Sequence, residues 1–298
     1  MLNLYILCVT VLSQYPNFSL QSTAENATFC YDDPSCGPKS AEFWPGICQT
    51  GTRQSPINLP HNINTIRESR SHPRALNFRG YKENGFFIRN NGHSIQVSFN
   101  NNLTSSSEMS GYGLDGEYVF AQAHFHWGKD IEIGGSEHTI NGRHFPMEVH
   151  LVHYNKKYPS YSVASGTTTD DARALAVLAV FLEPVLLGQS SNSAFSLIAN
   201  HLPDKYQTTG VPVNHEIDLA FFLPKVDDTI YRYLGSLTTP SCTQSVEWTV
   251  IPEPIPVHAS DYWKFHLVRD EENQPLSQNY RPVQPLYGRN VEVFHKSL

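Results

Sequence analysis

The chain has 298 residues, 40% of them hydrophobic and 16% charged, with a formal net charge of −7 from 21 Lys and Arg against 28 Asp and Glu. Without a dense basic cluster, nucleic acid and anionic membrane surfaces are disfavoured as principal partners, and the acidity falls far short of a disordered mineral-binding tract. The length suits one large domain or two small ones.

The first twelve residues, MLNLYILCVTVL, form an apolar run too short to span a bilayer and are followed by polar SQYPNFSLQSTAEN. Residues 1–13 therefore read as a secretory leader, with cleavage between 13 and 20. No later segment has the length and apolarity of a transmembrane helix, and GRNVEVFHKSL at the C-terminus lacks the apolar tail of a lipid-anchor signal. A soluble, secreted protein, monomeric by default, is expected. Outside the leader the cysteines are Cys30, Cys36, Cys48 and Cys242. An even number in a secreted chain implies two disulfides with three possible pairings. Position along the chain favours a local Cys30–Cys36 clip and a long Cys48–Cys242 staple. Of three N-x-[ST] sequons, Asn17 lies close to the cleavage zone, leaving Asn26 and Asn102 as the expected glycan carriers.

From about residue 30 to 298 the chain reads as one sheet-dominated domain, because no repeat, charge block or low-complexity linker divides it. FFIRNNGHSIQVSF alternates apolar and polar residues around an Asn-Gly turn signal. EYVFAQAHFHWG, MEVHLVHYN, LAVLAVFLEP and EWTVIPEPI are strand-like runs rich in β-branched and aromatic residues. LAVLAVF also fits a buried helix, but its length and the following proline favour a strand. SNSAFSLIANHLP and SDYWKFHLV are the helical candidates.

Side chains alternate along a strand, so His124 and His126 share one face, and Glu148, His150 and Val152 share another, with His153 opposite. Two imidazoles alone are as well explained as hydrogen-bonded core residues. If the two strands are neighbours, His124, His126 and His150 converge and leave a fourth tetrahedral position open, the pattern of a catalytic zinc. Gln122 and Glu148, each two residues before a histidine on its own face, are suited to accept from the second ring nitrogen.

RQSPINL, NNGHSIQVSF, QAHFHWG, GSEHTINGRHFPMEVHLVHYN, GSLTTPSC and NYRPVQPL occur in an order and spacing that closely resemble α-class carbonic anhydrases of the extracellular type, over residues 31–289. The resemblance implies an α+β, mainly β fold: a large twisted, mostly antiparallel sheet of about ten strands with short surface helices. It implies reversible hydration of CO2 to bicarbonate by a zinc-activated hydroxide, with sulfonamides and anions as inhibitors. His124, His126 and His150 match the zinc ligands, and Gln122, Glu148 and the Asn279 carbonyl match their hydrogen-bond partners. Thr238 matches the hydroxyl that orients the nucleophile through the carboxylate at Glu137. Thr239 matches a bicarbonate contact, while Val152, Val177, Leu237 and Trp248 match the CO2 wall. His93 matches a proton shuttle whose pKa is expected near neutral, served by waters ordered by Tyr31, Asn91 and Gln96. His138 matches a buried histidine bonded to an acid. The Cys48–Cys242 bridge and the Cys30–Cys36 clip also match extracellular members. Tyr280 departs from the tryptophan that often precedes RPVQP, and Gln96 from a frequent asparagine. The competing readings are a catalytically silent relative acting as a binding module and an unrelated three-histidine metalloenzyme.

Overall fold

Ten strands form one continuous path through the main sheet. In chain order they are β1 (Ile66–Glu68), β2 (Phe86–Asn90), β3 (Ile95–Ser98), β4 (Tyr118–Trp127) and β5 (Met147–Asn155). The path continues with β6 (Leu175–Val185), β7 (Val211–Val213), β8 (Ile230–Gly235), β9 (Val246–His258) and β10 (Val291–Phe294). The computed structural model describes residues 29–31, 36, 40–59, 66–68, 76–99, 107–111, 113–166, 170–186, 192–223 and 229–294, with the side chains of 66–68 excepted. The leader at 1–13 and the sequons at Asn17, Asn26 and Asn102 lie outside the described residues.

Spatial order is β7-β2-β3-β4-β5-β6-β9-β8-β10-β1. Every pairing is antiparallel except β6 with β9 and β10 with β1. Glu108–Ser110 pairs with β4 and Asn77–Arg79 with Glu108–Ser110, making twelve strands in this sheet among the described residues.

The apolar run LAVLAVF forms the strand β6, and the reason is its place. It lies between β5 and β9, and Leu175 through Leu182 are all buried. A strand covered on both faces has no polar face to show, so alternation vanishes from its sequence. Leu178, Val180 and Leu182 join one core layer with Phe125, Val149 and Phe195, while Val177, Ala179 and Phe181 join the layer with Val152 and Trp248. β9 extends beyond EWTVIPEPI and carries three prolines, because β8 pairs with it only as far as Val250. Beyond that point one edge of β9 has no β8 partner, so a proline there removes no hydrogen bond to β8.

The two helical candidates form short helices. Ser193–Ala199 is capped by Asn192, whose side chain accepts from the Phe195 amide. In SDYWKFHLV a single α-turn, Ala259–Tyr262, tightens into a 3-10 helix, Trp263–Leu267. The Asn-Gly hairpin pairs Asn90 with Ile95, so its loop is the four residues 91–94 rather than two. No described helix is long and apolar enough to cross a membrane. Both disulfides are present, Cys30–Cys36 and Cys48–Cys242. In the chain-entropy account the latter, spanning 194 residues, stabilises the fold by about 5 kcal/mol.

His153 lies beyond a register shift between Val152 and His153 and is wholly buried. Its Nε2 is 2.5 Å from the Tyr81 hydroxyl, and its Nδ1 donates to the Ala176 carbonyl at 3.2 Å. Burial pushes its pKa down to about 4, whereas the unfolded chain takes up that proton near 6.5. Its contribution to stability is therefore present above pH 6.5 and lost as pH falls towards 4, by about 1.4 kcal/mol per pH unit. Denaturant unfolding should show a loss between pH 7 and pH 5 of which His153→Gln removes about 2 kcal/mol.

Candidate metal centre

The site is built from two adjacent rows that run across the sheet. In the first, β2, β3, β4 and β5 align Arg89 with Gln96, Gln96 with His124, and His124 with His150. In the second, β4, β5, β6 and β9 align Gln122 with Val152, Val152 with Val177, and Val177 with Trp248. His126 stands opposite Glu148 in the next row. Strand alternation thus brings the three histidines together beside an apolar wall.

Their ring nitrogens converge. His126 Nε2 is 3.1 Å from His150 Nδ1, which is 3.3 Å from His124 Nε2. Each ring's other nitrogen has an acceptor: Gln122 Oε1 for His124 at 3.0 Å, the Asn279 carbonyl for His126 at 2.8 Å, and Glu148 Oε1 for His150 at 2.6 Å. An acceptor on the outer nitrogen fixes the proton there. The three inner nitrogens therefore present lone pairs to one another, an arrangement that repels itself until a cation lies between them. Ligands at 2.0–2.1 Å from a tetrahedral zinc lie about 3.3–3.4 Å apart, close to the separations found. Burial pushes the His150 pKa down to about 3 and that of His124 well below its ordinary value, so both are neutral ligands. His138, Glu148 and His150 also cluster, but protons already occupy that cluster: Glu148 accepts from both rings at 2.6 Å and from the His138 amide at 2.8 Å. Burial opposes charge on Glu148, but His138 and His150 overcome it and hold its carboxyl well below the usual range.

Glu137 is fully buried, and burial raises its carboxyl pKa against the opposing pull of His126, the Thr238 hydroxyl and the Arg281 amide. Its Oε1 accepts from that amide at 2.9 Å. Its Oε2 makes no hydrogen bond of ordinary geometry among the described residues and lies 3.5 Å from His126 Nε2. A buried carboxylate oxygen with no hydrogen bond of ordinary geometry, beside three lone pairs, fits a site that takes a cation.

One cavity reaches the three histidines. Val152, Val177, Leu237 and Trp248 line its apolar side. Thr238, Thr239, Tyr31, Asn91, His93, Gln96 and Gln122 line it as well. Glu137, Glu148 and Asn279 stand behind this lining. Asn91 does more than face the cavity: its Oδ1 accepts from the amides of His93 and Ser94, and with Gly92 at φ 85° this sets the turn that carries His93. Gln96 accepts from Arg89 Nη2 at 2.7 Å.

His93 differs from expectation. Its ring stacks on Phe29, with centroids 3.9 Å apart and planes 16° from parallel, and burial pushes its pKa down to about 4 rather than leaving it near neutral. Phe29 was not foreseen from sequence; its one signal is an aromatic side chain next to Cys30. Arg281 was also missed, although it lies in the NYRPVQPL motif. Buried, it donates to Gln54 Oε1 and to the carbonyls of Ser55 and Cys48, while Gln54 donates to the Cys242 carbonyl. It thereby ties the disulfide and the threonine loop to Glu137.

The family profile for eukaryotic-type carbonic anhydrase matches residues 37–295. The chain belongs to the carbonic anhydrase family. Carbonic anhydrase 6 of Bos taurus is 38% identical over 250 residues, covering 82% of this chain and 73% of the relative. Carbonic anhydrase 4 of Mus musculus is 33% identical over 285 residues, 92% and 86% of the two chains. Carbonic anhydrase 7 of Homo sapiens is 36% identical over 252 residues, 82% and 89%. The mainly β sheet and the histidine triad agree with this membership.

Glu148→Gln keeps the shape of the His150 partner and removes its charge. Competition with a zinc chelator should show metal affinity reduced by about 10–100-fold, with the fold retained by circular dichroism.

Proposed function

We propose that the chain is an extracellular zinc enzyme that hydrates CO2 reversibly to bicarbonate and a proton. The observation that supports it most is the convergence of three imidazole lone pairs at an apolar wall in an open cavity. His124, His126 and His150 would hold the metal, which supplies Lewis acidity that lowers the pKa of water from 15.7 to about 7.

The chain's own groups then have definite tasks. Val152, Val177, Leu237 and Trp248 keep water from one side of the cavity and give apolar CO2 a surface. Thr238 Oγ1, donating towards Glu137, has a lone pair left to receive the proton of the attacking oxygen, which turns that oxygen's lone pair towards carbon. Thr239, which lines the cavity, would bond an oxygen of bicarbonate. Gln122, Glu148 and the Asn279 carbonyl hold the three rings in their tautomers. His93 is the candidate relay for the released proton, with Tyr31, Asn91 and Gln96 ordering the water between. Sulfonamides and small anions should compete at the same position.

On this reading residues 1–13 are a leader, 30–298 the catalytic domain, and Asn26 and Asn102 carry glycans; the two disulfides support secretion. A silent binding module is the second reading. Retention of all three histidines together with Thr238 and Glu137 weighs against it.

Zinc analysis and stopped-flow CO2 hydration on the purified mature chain test the proposal. One zinc per chain and rapid hydration are expected, with both lost in His150→Ala. A zinc-loaded chain that leaves CO2 unhydrated would establish the silent reading. His93→Ala should lower the rate at saturating CO2 in a weak, bulky buffer and leave kcat/KM nearly unchanged, because only the former includes proton export. Imidazole-type buffer should restore the loss.

A further inference from the structure

Outside the catalytic cavity two further histidines meet. His201 follows the helix Ser193–Ala199 and His215 follows β7, and their ring centroids lie 5.1 Å apart with planes at 50°. The triad provides a yardstick within the same chain. Its ring pairs are separated by 5.0, 5.1 and 4.5 Å, the last with planes at 53°. Two imidazoles that share one metal through nitrogens at about 2.0–2.1 Å hold their ring centres roughly 4.5–5.2 Å apart, from a right angle to a tetrahedral one.

Ring packing alone would account for that separation, but not for the way His201 is held. Its Nδ1 donates to the Leu197 carbonyl at 2.8 Å, as the Nδ1 of His126 donates to the Asn279 carbonyl at 2.8 Å. A carbonyl can only accept, so the proton stays on Nδ1 and Nε2 keeps its lone pair for a ligand. The His201 amide bonds the Ile198 carbonyl at 2.9 Å, and its ring meets the buried Phe86 edge-on. Phe86 stands opposite Val213, two residues before His215. Both histidines are thus indexed to one residue of β2. Phe86 belongs to the core layer of Phe125 and Val149, so the pair lies across the sheet from the catalytic histidines. His215 is exposed and His201 half-buried, which leaves the pair open to solvent.

The donor set selects the ligand. The carboxylate next to His215, Glu216, is paired with Lys82 at 2.9 Å, so the protein offers imidazole nitrogen and water fills the other positions. Calcium and magnesium require oxygen ligands, whereas imidazole suits copper, nickel and zinc, with Cu2+ the tightest of the divalent series.

We propose that His201 and His215 form a second, peripheral metal site that takes a divalent transition metal, Cu2+ above the others. The site is independent of the reaction at the triad and stands whether or not the chain hydrates CO2.

The test titrates Cu2+ into the zinc-loaded chain, with metal analysis and electron paramagnetic resonance. One copper per chain should bind with zinc retained, and its nitrogen hyperfine pattern should be that of two imidazoles. His215→Ala removes an exposed side chain and should keep the fold by circular dichroism. It should weaken copper binding about a hundredfold, because the second imidazole of a pair binds intramolecularly. His201→Gln keeps a donor for the Leu197 carbonyl but no ring nitrogen, and should cause the same loss. Copper binding unchanged in His215→Ala, or a signal from a single nitrogen, would overturn the proposal. Copper taken up only at the expense of zinc would lie in the triad and would overturn it as well.

Discussion

The site depends on the register of two strands. His150 stands opposite His124, and Glu148 opposite His126, because β4 and β5 pair antiparallel without a shift from Met147 to Val152. A slip of one residue would send His150 and Glu148 to the other face and bring Val149 and Leu151 among the remaining histidines. Val149 and Leu151 prevent it, since both are fully buried in the opposite core layer. The chemistry on one face of the sheet is therefore aligned by apolar packing on the other. The shift occurs only after Val152, where the site has no further use for the alternation.

Behind the site the chain buries charge, which is costly unless each charged group is answered. Glu148 is answered by His138 and His150, and His138 continues to the Tyr233 hydroxyl at 2.6 Å. Arg281 is answered by three oxygens of the 48–55 segment, and burial still pushes its pKa down to about 10. These networks join segments distant in sequence: β5 to the 136–138 loop, and the C-terminal segment to the Cys48–Cys242 bridge. They convert a cavity wall into a fixed object, so the hydroxyl of Thr238 and the carboxylate of Glu137 are held by the same scaffold.

The legible part of the site was local. His124 with His126, and Glu148 with His150, share faces by a period of two that holds wherever a strand forms, so those pairs were readable before any partner strand was known. β6 was less clear because a strand buried on both faces loses its alternation. The Asn279 acceptor had no residue signature, since any residue has a carbonyl, and it came through resemblance alone. Phe29 and Arg281 were unreadable for another reason: their partners lie far along the chain, and only folding brings them together. The His93 pKa was misjudged on the same account. An imidazole's titration is set by what covers it, and the cover comes from a segment more than sixty residues earlier.

Asn279 carries a consequence for how the centre tolerates change. The acceptor for His126 is a main-chain oxygen, which no substitution can delete. Its position is another matter, because the Asn279 amide clamps it, accepting from the Trp127 amide at 2.7 Å and donating to the carbonyls of Phe125 and His93. Mutational drift therefore acts on this acceptor through its address rather than its identity. One side chain indexes a metal ligand and the His93 turn to the same origin, so a displacement there would put both out of place together.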